Sequence, residues 1–328
     1  MSDAPAAGNA RLGVRAVGAT MVGAGPVDRQ QRQVARTGGA GAPLREIYYR
    51  LRQPARSRWP GAHRSRAGEM GFEFRAHQPL SLGGDARRID VHASLRDPFG
   101  DWQVRLYAER VSVTVTVVAD LSASMAYVGR HSKMATLAEL TRALAWSAAR
   151  AGDRFGFVGC GARLDRDWLL APTRARGAGL ALADRLAMFR PHGATAAHAG
   201  ALREAAACLP RQRALVFLVS DFHLPLPLIE ATLDSLAGHD VVPVILHDEA
   251  EVAAPTTSRS GHALVNLRDA ETGAQRLLWW RPALAARLAE QREQARAGLA
   301  ALLRRHQLGS VVFDDGFDAD RVTAFFHR

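Results

Sequence analysis

Apolar and polar positions change rhythm several times along the chain. Val111, Val113, Val115, Val117 and Val118 form a β-branched run that ends on Asp120, the pattern of a strand buried on both faces. A helical period follows, with Met134, Leu137, Leu140, Leu144 and Ala148 spaced by three and four, and predicts a helix over 133–150. Further strands are predicted over 154–159, around 168–170, over 214–220 (ending on Asp221) and over 241–246. Helices are predicted between them over 178–189, 198–208 and 226–236. Residues 263–268 and 275–280 read as a hairpin, Pro282 opens a long helix to Arg305, and 310–313 and 318–326 give a last strand and a closing helix. Alternating strands and helices, with apolar strands, imply an α/β fold with a doubly wound, mainly parallel sheet.

The first third reads differently. Residues 1–42 are rich in Ala, Gly, Arg and Gln without a period, and are expected to form a disordered basic leader. Order is expected to begin near Pro43, where Ile47, Tyr48, Tyr49 and Leu51 supply bulky apolar groups. Residues 53–70 read as loop, and Phe72, Phe74, Val104 and Leu106 as short half-buried strands. The expected divisions are therefore a leader over 1–42, a β-rich extension over 43–110, and an α/β domain with a C-terminal hairpin and helix over 111–328.

Composition narrows the function classes. Hydrophobic residues make up 48% and charged residues 23% of 328, enough for a folded core. No apolar run approaches the roughly 18 residues of a membrane span, and no compact apolar segment near the start reads as a secretory signal. Cys160 and Cys208, the only cysteines, lack metal spacing. A reducing cytoplasm is the expected location. The net charge is +11, and residues 1–75 carry thirteen arginines against five acidic residues. That excess admits a solvated tail, an acidic partner or nucleic acid. No zinc finger, recognition helix or aromatic-interleaved platform supports nucleic acid, which is not the expected partner. Lys133 is the only lysine.

The chemistry concentrates where strands end. Asp120-Leu121-Ser122-Ala123-Ser124 follows a buried strand directly, and ligands in open α/β sheets gather at such ends. Alternate Asp, Ser and Ser can aim three oxygens at one point, and a hard cation wants a shell of oxygens. Two more are on offer from Thr195, in Gly193-Ala194-Thr195, and from Asp221, in Ser220-Asp221-Phe222. Together these three segments resemble the metal-ion-dependent adhesion site of von Willebrand factor A domains. The resemblance implies a Rossmann-type fold and an Mg²⁺ or Mn²⁺ held by Asp120, Ser122, Ser124, Thr195 and Asp221, directly or through water. The bland alternative is that the Ser and Thr side chains only cap helices.

Flanking segments sharpen this. Gly71 to Phe74, Asp85 to Asp90, Ala93 to Arg96, Val104 to Arg110 and Leu267 to Gly273 resemble a bacterial family known as domain of unknown function fifty-eight. Arg96-Asp97-Pro98-Phe99-Gly100 is similar to its MxaS-type members, found with methanol dehydrogenase genes. The resemblance implies a MoxR-type AAA+ ATPase as partner, and a client protein that offers an acidic residue to the metal. Two departures stand out. No membrane-anchoring hairpin of the kind many members carry is read in the sequence, so membrane attachment is not expected, and Val91 stands where Trp is frequent.

Catalytic readings find less. A haloacid-dehalogenase mechanism needs Asp where Ser122 stands, and no nucleophile elbow, His-Glu-x-x-His or phosphate-cradling Gly-rich loop occurs. A metal-dependent phosphohydrolase would have to draw its base from Asp221 or His192. His192 and His198 flank Thr195, Glu249 and Glu251 read as solvated loop charges, and the expectation is a binding module with no enzymatic activity.

Overall fold

A computed structural model describes residues 19–21, 45–51, 60–64, 73–108, 110–191, 200–248, 263–269 and 275–327. The N-terminal third contributes β1 (Ala19–Met21), β2 (Pro60–Arg64), β3 (Glu73–Pro79), β4 (Gln103–Ala108) and β5 (Arg110–Val111), with a short helix α1 (Val91–Leu95). β3 and β4 pair antiparallel, as the alternation predicts, and β2 pairs with β5. So the stretch read as loop over 53–70 contains a strand. The expected leader also contributes one, because β1 pairs antiparallel with β11 (Ala263–Asp269). The rest of 1–42 lies outside the described residues. Ladder hydrogen bonds to a distant partner order both segments, and no local pattern announces such bonds.

The main sheet has six strands: β6 (Thr114–Asp120), β7 (Arg154–Cys160), β8 (Leu164–Thr173), β9 (Leu215–Ser220), β10 (Asp240–Leu246) and β13 (Val311–Phe313). Their order is β13-β10-β9-β6-β7-β8, with every neighbouring pair parallel except β7 and β8. From β6 the chain moves outward to β7 and β8, then returns to the other side of β6 for β9. The strand order reverses between β6 and β9. Crevices open at such reversals, outside the carboxyl ends of the strands.

Helices cover both faces. α2 (Lys133–Ala151), α3 (Arg176–Met188) and α6 (Ala319–His327) pack on one, against Val115, Val117, Phe217 and Phe313. The other face carries α4 (Leu226–Ser235), the C-terminal part of α5 (Pro282–Arg305) and a 3₁₀ helix over Gly200–Cys208, against Val118, Val216 and Leu218. Along β9, Leu215, Phe217 and Val219 face one layer while Val216 and Leu218 face the other, as the two-residue period of a strand demands. The doubly wound α/β expectation matches this arrangement. Residues 200–208 keep the expected apolar stripe through Ala201, Leu202 and Ala205, although the turns are tighter than α.

The segment after Pro43 is tied into the core. Ile47 is 2% exposed and its N–H donates to Ser147 Oγ at 2.8 Å, while Tyr49 donates to Asp153 Oδ2 at 2.7 Å. β12 (Gln275–Trp280) pairs antiparallel with β11 in the expected hairpin. Among the described residues, no helix is long and apolar enough to cross a membrane.

Candidate metal centre

Asp120 is the last residue of β6, and Asp221 follows the last residue of β9. The two central parallel strands thus deliver a carboxylate each to the point where the strand order reverses. Both residues are buried, as are Ser122 and Ser124. The loop from β6 turns through a 3₁₀ segment, Ala123–Ala126, which brings Ser122 Oγ and Ser124 Oγ to 3.1 Å. Of the five sequence-derived ligands, four therefore lie around the ends of β6 and β9. Thr195, with His192 and His198, lies outside the described residues, as do Glu249 and Glu251.

Hydrogen bonds fix the carboxylates. Asp120 Oδ1 accepts from Ser122 N at 2.8 Å, and Oδ2 accepts from Ser220 Oγ at 2.7 Å. Asp221 Oδ1 accepts from His223 N at 3.2 Å, and Oδ2 accepts from Lys133 Nζ at 2.8 Å. His223 Nδ1 stands 3.4 Å from the same Oδ2. Burial first, and then the nearby Asp221 carboxylate, push the Asp120 carboxyl up to about 6, against the hydrogen bonds that favour its charged form. Burial acts upward on Asp221 too. The Lys133 ammonium and His223 outweigh it and hold that carboxyl well below the usual carboxylate range.

Backbone geometry is specialised beside these groups. Phe222, next to Asp221, has φ +54° although it is neither Gly nor Asn. A bulky residue held in the left-handed region stores strain, and such strain collects at functional turns. Its N–H donates to Ser220 Oγ at 2.9 Å, so Ser220 bridges the turn and Asp120. On the far side of the loop, a Cβ at Gly129 would lie 2.3 Å from Asp248 Oδ2. Asp248, itself 2% exposed, accepts from His131 N at 3.2 Å and pins the loop that leads into α2.

These residues fit a hard divalent cation. In an octahedral shell with metal–oxygen distances of roughly 2.0–2.1 Å, adjacent oxygens lie about 2.9 Å apart. The Ser122 and Ser124 hydroxyls have nearly that spacing. Among the described residues no group of three or more His, Cys, Asp or Glu is placed to hold a metal, so an ion here depends on the hydroxyls. An oxygen-only set favours Mg²⁺ or Mn²⁺ over thiolate- or imidazole-seeking ions. Asp120, Ser122, Ser124 and Asp221 would hold it, directly or through water.

Sequence reasoning missed four participants. Ser220 stands in the Ser220-Asp221-Phe222 segment but had no role assigned to it, Asp248 looks like an ordinary residue near a strand end, and Gly129 like an ordinary loop glycine. Lys133 carried one signal, being the only lysine in the chain. Val91, where the family's Trp is frequent, is 55% exposed at the first turn of α1.

The chain is similar to known proteins in three ways. It is 37% identical over 103 residues to a protein of Paracoccus denitrificans described as "Uncharacterized protein in moxR 3'region", spanning 31% of this chain and 94% of that one. The BatB protein of Bacteroides thetaiotaomicron shares 15% identity at a TM-score of 0.39, over 66% of this chain and 96% of its own. Proximal thread matrix protein 1 from the mussel byssus, solved "with zinc occupied MIDAS motif", gives 18% identity at a TM-score of 0.29, over 42% of this chain and 38% of its own. Residues 73–298, well over half of the chain, match one family throughout, and the chain belongs to that family, described as Protein of unknown function DUF58.

Proposed function

We propose that this chain is a metal-dependent protein-binding module that works in the cytoplasm with a MoxR-type AAA+ ATPase, in the assembly or activation of a client protein. The observation that carries this reading is the convergence of Asp120, Ser122, Ser124 and Asp221 at the reversal between β6 and β9. Thr195 would supply a further oxygen. Mg²⁺ or Mn²⁺ bound there offers a Lewis-acidic position to a carboxylate of the partner. The chain's own residues hold the ion, exclude water through their burial, and set the direction of approach. The relative encoded beside moxR supports the ATPase as co-worker. The MxaS-like segment at 96–100 favours methanol dehydrogenase, or its maturation machinery, as the client.

The test is a pull-down of the neighbouring MoxR-type ATPase or client by the full chain, with and without EDTA, at two salt concentrations. Chelation should weaken the complex, and so should Ser122→Ala and Thr195→Ala. A complex indifferent to EDTA but dissolved by salt would overturn the reading in favour of contacts by the arginine-rich N-terminal region.

His223 gives the phosphohydrolase reading one observation, since a base beside Asp221 is what such chemistry needs. Here its ring faces a carboxylate already engaged by Lys133. Turnover of a generic phosphate ester with Mn²⁺, lost in His223→Asn, would revive that alternative.

A further inference from the structure

Lys133 is the sole lysine in a chain whose other basic charge is carried by 42 arginines. It is the first residue of α2, behind the Ser132 cap, and is 3% exposed. Its Nζ lies 2.8 Å from Asp221 Oδ2 and 5.8 Å from the centre of the Tyr127 ring. A buried ammonium is costly unless it is paired, and here its position is defined by one of the candidate metal ligands.

The ammonium leaves Asp221 able to bind something else. Each carboxylate oxygen can accept at two positions: Oδ2 faces both Lys133 Nζ and His223 Nδ1, while Oδ1 accepts from His223 N and keeps a second position for an ion. Lys133 and a cation can therefore share the carboxylate. The charges then decide what the centre attracts. Asp120 and Asp221 bring two negative charges and Lys133 one positive, so a bound divalent ion keeps a net charge of +1 where the carboxylates alone would have neutralised it.

We infer that Lys133 is the charge-setting residue of this centre: it weakens the hold on the ion and leaves it electropositive, so that the centre selects an anionic carboxylate donor on its partner over a neutral amide or hydroxyl. The inference rests on the metal-dependent docking reading above. Its signature is a pair of opposed changes. Neutralising residue 133 tightens the ion and loosens the carboxylate. A lysine that served only to brace the fold would, on removal, weaken both together.

The experiment uses the full chain, Mn²⁺ as the ion and sodium acetate as the carboxylate probe. Calorimetry gives the Mn²⁺ affinity, and water-proton relaxation reports acetate displacing water from bound Mn²⁺. In Lys133→Met, Mn²⁺ should bind about tenfold more tightly and acetate about tenfold more weakly. The neutral analogue acetamide should bind the wild-type Mn²⁺ form more weakly than acetate. If circular dichroism shows that Lys133→Met does not fold, Lys133→Gln, which keeps a donor for Asp221, carries the same comparison. Affinities that stay within twofold of wild type, or that fall together, would overturn the role of Lys133 while leaving the metal centre standing. A wild-type chain that binds no Mn²⁺ would overturn the docking reading and this inference with it.

Discussion

Ser220 Oγ donates to Asp120 Oδ2 at 2.7 Å and accepts from Phe222 N at 2.9 Å. One hydroxyl thus ties the end of β6 to the strained turn that follows β9. It orients both carboxylate-bearing strand ends, although it was not among the expected ligands.

Proton binding at Asp120 makes the stability of the metal-free chain depend on pH. The Asp120 carboxyl, with an ordinary value of 3.8, is raised to about 6 in the fold, mainly by burial. Between those values the folded state holds the extra proton, so without metal the stability from this group falls as pH rises through that window. Above about 6 the whole penalty remains. Asp120→Asn removes it, and should stabilise the metal-free chain by about 2 kcal/mol at pH 7.5 but not at pH 4. Thermal melts in EDTA at the two pH values check this, and a wild type more stable than the variant at pH 7.5 would contradict it. The variant should also lose the rise in Tm that Mn²⁺ gives the wild type.

Asp221→Ala should cost more stability than the loss of one side chain. It leaves the Lys133 ammonium buried without this carboxylate, which is worth about 3–5 kcal/mol. The double variant Asp221→Ala with Lys133→Met should regain roughly half of the loss. Denaturant unfolding of the wild type, both single variants and the double gives the coupling. Additive losses would show that the pair does not interact as described.

Phe222 offers a test by sign. It is 8% exposed, so truncation to Ala should cost about 3–5 kcal/mol in packing. Glycine removes the same ring but accepts φ +54° without strain. Phe222→Gly should therefore be more stable than Phe222→Ala by about 1 kcal/mol, the reverse of the usual order within a helix or strand. Chemical denaturation of the two variants decides it.

Gly129→Ala should displace the loop before α2, because the new Cβ would meet Asp248 Oδ2. A loss of about 1–3 kcal/mol is expected, together with weaker Mn²⁺ binding, since the same loop carries Ser122 and Ser124. In an Asp248→Ala background the clash has no partner, and the same substitution should cost little. Equal cost in both backgrounds would show that the contact does not matter.

Several elements were legible from local pattern. The β-branched run ending on Asp120 became β6, with Asp120 as its last residue. The helix read over 282–305 has those bounds, because Pro282 fixes its first turn. Two other segments failed for one reason. Neither 19–21 nor 60–64 shows alternation, yet both are strands because a distant edge supplies their hydrogen bonds. Part of the candidate centre was legible too, since Asp120, Ser122, Ser124 and Asp221 each sit beside a strand whose apolar pattern is unmistakable.

Periodicity and strand-end chemistry are local properties, so the chain by itself determined the α/β class and the order of its elements, and nominated candidate oxygens at the strand ends. Strand order is different, because it depends on which apolar faces bury one another across the whole domain. Only the folded sheet puts β9 beside β6, on the opposite side from β7, and so brings Asp221 to the same crevice as Asp120. The same packing buries Lys133, the one lysine, against Asp221 across 88 residues of sequence. A charge read along the chain is a solvated surface group by default. Low-dielectric surroundings and a fixed partner make this one part of the centre, and both come from residues far away in the sequence.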